Sequence, residues 1–320
     1  MKILLLGAAG FLGRAAAALL ARRDDVGELI LADYDIRDAK RLAKSLSPKC
    51  RWAMADAGKP PELSRLLEGI DAAACAVGPF AEYGPAVMRT CASRGVPAAV
   101  IGEGAVPEEA RKGIDRAFRD AGLPAAAGCG LMPGWTDLLA AHFLGAGGPD
   151  ESLPQEKYLF FSPARFGGYA FLREVAKGIT ADAPAPMGAP AGRYFAMPDG
   201  SRVGVPGGKA GTRLGRVVGA ARKLGAVGKE FSAALLLWTR AGLPEPAGAP
   251  LAAAGVARGG RFARVEDPKG NLAAALLAAT AVRLAARPGG STGLLRLADL
   301  FGRREAEALA AACGGRIVTG

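Results

Sequence analysis

Three glycines and an acid near the start of the chain have the types and spacing that hold a dinucleotide. Gly7, Gly10 and Gly13 punctuate the run Gly7-Ala8-Ala9-Gly10-Phe11-Leu12-Gly13, and Asp33 lies twenty residues beyond Gly13. In such a turn the first glycine permits the bend off a strand, the second lets backbone approach a pyrophosphate, and the third lets the next helix pack closely. The N–H groups and positive dipole end of that helix then face the phosphate charge. Ala9, Phe11 and Leu12 belong to the same cradle. Asp33 is placed to accept hydrogen bonds from an adenosine ribose, and its charge opposes a 2′-phosphate, which favours NAD over NADP. Arg37, four residues later, either pairs with such a phosphate or is a solvated helix residue.

The surrounding elements are those the turn needs. Lys2-Ile3-Leu4-Leu5-Leu6 reads as a strand buried on both faces, 14–22 as a helix, and Leu29-Ile30-Leu31-Ala32 as a second strand ending at Asp33. Asp35 is placed to cap the helix that follows. Further strands are predicted over 50–55, 71–77, 98–101 and 125–129, alternating with helices, including one over 85–94. This alternation predicts an α/β fold, a Rossmann doubly wound parallel sheet. Ligands bind such sheets outside the carboxyl ends of the strands. Asp56 and Ala57 then border the adenine, and Val77, Gly78 and Pro79 line the ribose and nicotinamide side.

Three side chains are candidates for the chemistry. Glu103 follows the fifth strand, either as a carboxylate that handles a proton or as one that caps its own loop. Tyr83 either donates a hydrogen bond to substrate or cofactor or simply packs. Lys177 is a candidate partner from a second domain, with a solvated helix lysine as the alternative. The single histidine, His142, cannot build a His-rich metal site, and no cluster has metal-ligand spacing.

At 320 residues the chain has length for about two domains. The expected division is a Rossmann domain over 1–130, an inserted mixed α+β domain over 131–267, and helices over 268–320 that return to the first. The insert supplies the substrate site and the candidate contact of a homodimer. Within it, strands are predicted over 157–162, 193–197 and 202–205, the last two joined by the turn Pro198-Asp199-Gly200-Ser201. Net charge is +11, yet the basic residues are scattered without interleaved aromatics, which speaks against nucleic acid. The longest apolar runs, over 233–238 and 272–282, fall short of a membrane span. Five cysteines, with no C-x-x-C pair, fit a reduced cytoplasmic setting.

Several loops together resemble one family. The glycine turn, Val77-Gly78-Pro79-Phe80 with Tyr83-Gly84, Gly102-Glu103, and Gly128-Cys129-Gly130-Leu131-Met132-Pro133-Gly134 are similar to the saccharopine dehydrogenase-like oxidoreductases. The resemblance runs over 1 to about 145 and resumes near Leu297-Ala298-Asp299-Leu300-Phe301. It implies a NAD(P)-dependent oxidoreductase acting on a small substrate of amino-acid or amine type, with terminal helices folded back on the cofactor domain. Ala98-Ala99-Val100 is apolar where many members carry polar positions. Two other readings compete. A short-chain dehydrogenase normally uses Tyr-x-x-x-Lys, and no tyrosine here has lysine four residues on. A non-catalytic dinucleotide-binding or redox-sensing protein is the alternative.

Overall fold

A computed structural model describes residues 1–102, 107–144, 155–162, 165–207, 250–286 and 290–320. The chain divides into two compact units, Met1–Gly134 with Ala273–Leu300, and Trp135–Leu272 with Phe301–Gly320.

The first unit begins with β1 (Lys2–Leu6), α1 (Phe11–Ala21), β2 (Glu28–Asp33), α2 (Ile36–Leu46) and β3 (Cys50–Met54). It continues through α3 (Pro60–Leu66), β4 (Ala72–Cys75), α4 (Phe80–Ser93), β5 (Ala98–Val100), α5 (Glu108–Asp120) and β6 (Pro124–Ala126). Its strands pair in parallel in the order β3-β2-β1-β4-β5-β6, the doubly wound arrangement expected, and a late strand extends the β6 edge. β1 lies mid-sheet, which explains its unbroken apolar run: alternate residues must be buried on each face. Leu4 and Leu6 join Val87, Met88 and Phe118 in one core, so α4 and α5 cover that face. Buried Ala16, Ala17 and Leu20 of α1 and Ala39 and Ala43 of α2 belong to the helices packed beside β1 and β2.

The α4 helix starts at Phe80, five residues before the predicted start at Pro85. Pro85 lies inside this helix, and Gly84 beside it leaves room for the Phe80 ring, whose atoms would lie 2.1 Å from a Cβ there. α1 likewise starts at Phe11, directly after the extended Gly10, and not at Arg14.

The second unit holds α6 (Trp135–Phe143), β7 (Glu156–Phe161), α7 (Tyr169–Gly178), β8 (Ala181–Ala183), β9 (Gly192–Ala196), β10 (Arg202–Pro206), β11 (Ala252–Arg258) and β12 (Arg261–Asp267). β9 and β10 form the expected antiparallel hairpin, while β10 pairs in parallel with β7. The result is a mixed sheet, built partly on aromatic-over-glycine contacts: Tyr158 lies across Gly255 and Tyr194 across Gly204 on the paired strands.

The end of the chain divides between the units. α8 (Leu272–Ala285), β13 (Gly293–Leu294) and α9 (Leu297–Leu300) fall almost wholly in the first, where β13 pairs with β6. α10 (Arg303–Ala312) and β14 (Arg316–Thr319) fall in the second, where β14 pairs with β12 and completes a seven-stranded sheet. Of 268–320, residues 273–300 fall in the first unit, while 268–272 and 301–320 fall in the second, where β14 satisfies an open edge of its sheet.

Candidate dinucleotide site

The glycine turn sits between the carboxyl ends of β1 and β4. Gly7 has φ +74°, and a Cβ there would meet the Ala76 carbonyl carbon, the Val77 nitrogen and Val77 Cγ2, each at 3.0 Å. Gly13 is tighter still: its Cβ would fall 1.9 Å from the Gly7 oxygen. Gly10 is extended and opens α1 without a side-chain cap. The Leu12 and Gly13 N–H groups find no acceptor among the described residues, as the first turn of a helix dictates. These donors, at the positive end of α1, form a seat for an anion.

Asp33 closes the turn from β2. Its Oδ2 accepts the Ala9 N–H at 2.8 Å and its Oδ1 the Asp35 N–H at 3.0 Å. Each oxygen keeps a second lone pair for a ribose hydroxyl. Asp35 caps α2 by accepting from Arg37 and Asp38 N–H at 3.0 and 3.1 Å. These bonds, Asp38 first, hold its carboxyl below the usual range. Arg37 is exposed in the first turn of α2.

A contact that the sequence reading did not anticipate crosses this corner. Arg14 of α1 donates Nε to the Ala9 oxygen at 2.7 Å and reaches Asp38 Oδ2 at 2.5 Å; Arg41 holds the other Asp38 oxygen at 2.7 Å. The available signal was a basic residue in the first turn of α1, facing an acid in the first turn of the next helix.

Further along the sheet edge, Asp56 Oδ1 accepts the Gly58 N–H at 2.9 Å. A Cβ on Gly58 would lie 3.2 Å from that oxygen and 3.8 Å from Tyr83 Cε1, so Tyr83 and Asp56 flank the same glycine. Ala57 and Val77 pack partly buried against the sheet core. Pro79 follows a cis peptide bond from Gly78 and precedes α4. Cys75, at the end of β4, is wholly buried, and desolvation pushes its thiol up to about 11, which removes it as a neutral-pH nucleophile.

The loops after β5 and β6 also meet. Gly128 N–H donates to Gly102 O at 3.2 Å and Cys129 N–H to Val100 O at 2.9 Å. Gly134, at φ +118°, would place a Cβ 2.3 Å from Gly130 O, so the 128–134 loop folds tightly on itself. Glu103 lies outside the described residues. Lys177 is exposed in the last turn of α7, in the second unit, whereas Tyr83 belongs to the first. His142 bonds the Phe301 oxygen at 2.8 Å, within the second unit.

No metal-ligating cluster occurs among the described residues, and none of their helices is long and apolar enough to cross a membrane. None of the described cysteines forms a disulfide, and all are buried.

Comparison with known proteins finds one family model and similar folds. Residues 3–111 match the family model described as the saccharopine dehydrogenase NADP binding domain. The fold is similar over its full length to an apo saccharopine dehydrogenase (L-Glu forming) from Saccharomyces cerevisiae, with TM-score 0.66 and 12% identity, covering 100% of this chain and 99% of that one. A Citrobacter sp. triphenylmethane reductase complexed with NADP(H) aligns more loosely, at TM-score 0.32 and 19% identity over 39% of this chain and 48% of its own.

Proposed function

We propose that this saccharopine dehydrogenase-like, NAD(P)-dependent oxidoreductase moves a hydride between the nicotinamide and a small substrate of amine or amino-acid type. One observation carries the cofactor half of this reading: a glycine turn with two unclaimed helix N–H groups, closed by an acid at the end of the neighbouring strand. A nicotinamide dinucleotide fits those residues. Gly7, Ala9, Gly10, Phe11, Leu12 and Gly13 would hold its pyrophosphate and Asp33 its adenosine ribose, while the bound cofactor supplies the hydride chemistry. Asp56, Ala57, Val77, Gly78 and Pro79 would border it along the sheet edge.

NAD is the proposed cofactor, because the Asp33 carboxylate is fixed at both oxygens and an anion there opposes a 2′-phosphate. Tyr83 is assigned to the wall of the site beside Asp56, since both approach Gly58. Glu103 is the proposed proton-handling group, on its place in sequence just after β5. Amine-type chemistry is supported by the family likeness, and the apolar Ala98-Ala99-Val100 keeps the substrate class broad.

The test of the cofactor site is Gly10→Val. A branched side chain at the extended Gly10 obstructs the approach of phosphate to the α1 N–H groups while the sheet stays folded. NADH fluorescence titration should show binding lost, with circular dichroism unchanged; wild-type affinity would overturn the assignment. For the reaction, Glu103→Gln should lower kcat far more than it raises the Kd for NADH, because an amide is no proton carrier. Undiminished turnover would remove Glu103 from the chemistry.

A further inference from the structure

We propose that Asp38 is a cofactor-specificity residue: by neutralising Arg14 and Arg41 beside the glycine turn, it keeps the site from accepting a 2′-phosphate. The proposal rests on the dinucleotide reading of that turn and adds to it a residue one shell beyond the ribose acid.

The geometry is a relay. Asp33 Oδ2 accepts the Ala9 N–H at 2.8 Å, and the Ala9 oxygen accepts Arg14 Nε at 2.7 Å. One residue, Ala9, thus links the carboxylate placed for the ribose to a guanidinium. That guanidinium is already engaged: its terminal nitrogen lies 2.5 Å from Asp38 Oδ2, and Arg41 takes Asp38 Oδ1 at 2.7 Å. Each oxygen of one acid therefore holds one arginine. Side-chain exposure is 43% for Arg14, 75% for Arg41 and 29% for Asp38, so the group borders solvent where a ligand can reach it.

Without Asp38 the same place would present two released guanidinium groups, with exposed Arg37 in the first turn of the same helix. Planar guanidinium donors are suited to phosphate oxygens, which they hold through paired, charge-assisted bonds. Asp33 opposes a 2′-phosphate directly. Asp38 opposes it indirectly, by occupying the cations that would otherwise compensate. The NAD preference then depends on two acids, one of which touches no part of the cofactor.

The experiment measures NADH and NADPH affinity by fluorescence titration for the wild type, Asp38→Asn, Arg14→Gln and the double variant. Asp38→Asn is expected to raise the ratio of NADPH to NADH affinity about tenfold, the size of one added charge-assisted contact. The gain should shrink as salt is added, fall in the double variant and vanish when Arg41→Gln is added to it. A competition of adenosine 2′,5′-bisphosphate against AMP supplies a second readout that isolates the phosphate; the bisphosphate should gain in Asp38→Asn and AMP should not. A ratio within twofold of wild type in Asp38→Asn, or a gain that survives loss of both Arg14 and Arg41, overturns the proposal. The wild-type ratio is a separate outcome: a preference for NADPH there overturns the assignment of NAD, while the change caused by Asp38→Asn still decides the role of Asp38. A wild type that binds neither dinucleotide overturns both.

Discussion

A β-carbon at residue 13 would lie 1.9 Å from the Gly7 oxygen and 2.8 Å from Ala8 Cα. No side-chain rotation relieves that overlap, because both contacts are backbone. Gly13→Ala must push α1 away from the turn and re-aim the Leu12 and Gly13 N–H groups. We expect it to cost about 1–3 kcal/mol of stability, as overpacking does, and to weaken NADH binding more than tenfold in a titration. Gly113 is the internal control. It is exposed within α5, and a Cβ there meets nothing within 4 Å. Gly113→Ala should therefore stabilise by roughly 0.5–1 kcal/mol through helix propensity and reduced unfolded-state freedom, with unchanged NADH affinity. If thermal melts show both substitutions destabilising alike, the close approach at Gly13 is not what selects glycine there. At this scale the glycine turn was readable, because its spacing encodes the close backbone approach seen at Gly7 and Gly13. The partners of Asp33 were not: its bond to Ala9 joins residues 24 apart through a carboxylate rotamer that no spacing rule specifies.

The element that shows most plainly how a local rule can be hidden is α8. Its start is governed by Asp267 at the end of β12, whose Oδ2 accepts Leu272 N–H at 2.9 Å while Oδ1 accepts Asn271 N–H at 3.0 Å. Burial pushes the Asp267 carboxyl above its ordinary value even though four successive backbone N–H groups pull it down. A carboxyl whose folded pKa is raised lends its pH-dependent stability below the unfolded pKa and loses it as pH rises through the folded value. Asp267→Ala removes the cap and leaves buried N–H groups unpaired, a loss of about 1–3 kcal/mol at neutral pH. Denaturant titrations should show the gap from wild type narrowing as pH climbs through the Asp267 titration; a widening gap would contradict this account. Glu266, its neighbour, runs the other way. Burial pushes its carboxyl up, but hydrogen bonds from Arg316 and Arg264 bring it to a net value below the ordinary range. Its contribution is present at neutral pH and fades as pH falls through the depressed value. The sequence located the β1, β2 and β3 strands within a residue or so, because apolar runs bounded by turns survive tertiary context. It misplaced the start of α4, because Pro85, read as a helix start, falls inside the helix that begins at Phe80.

At the level of the whole chain, local pattern no longer decides. The Rossmann half is dominated by neighbouring strands joined by single helices, so its order follows from alternation and handedness. The second sheet brings β14 beside β12 and β10 beside β7, pairings between distant segments that periodicity cannot register. The division of 301–320 from 273–300 was invisible for that reason, and it has an experimental consequence. A chain ending at Leu300 keeps every described element of the first unit, including β13 on β6. It removes from the second unit β14, the buried Ala306, Ala310 and Cys313, and the mutual backbone bonds of Phe262 with Gly320 at 2.7 and 3.1 Å. It also takes Arg316 from Glu266, leaving a carboxylate of 9% side-chain exposure to Arg264 alone. Thermal unfolding of this truncated chain should show a lowered transition, by about 2–4 °C for each kcal/mol lost in a unit of this size. The affinity for NADH should stay within about threefold of the full chain, since the glycine turn and Asp33 belong to the intact unit. Loss of NADH binding on truncation, with the Rossmann unit still folded by amide hydrogen exchange, would mean that the cofactor site needs the second unit's terminal strand and helix.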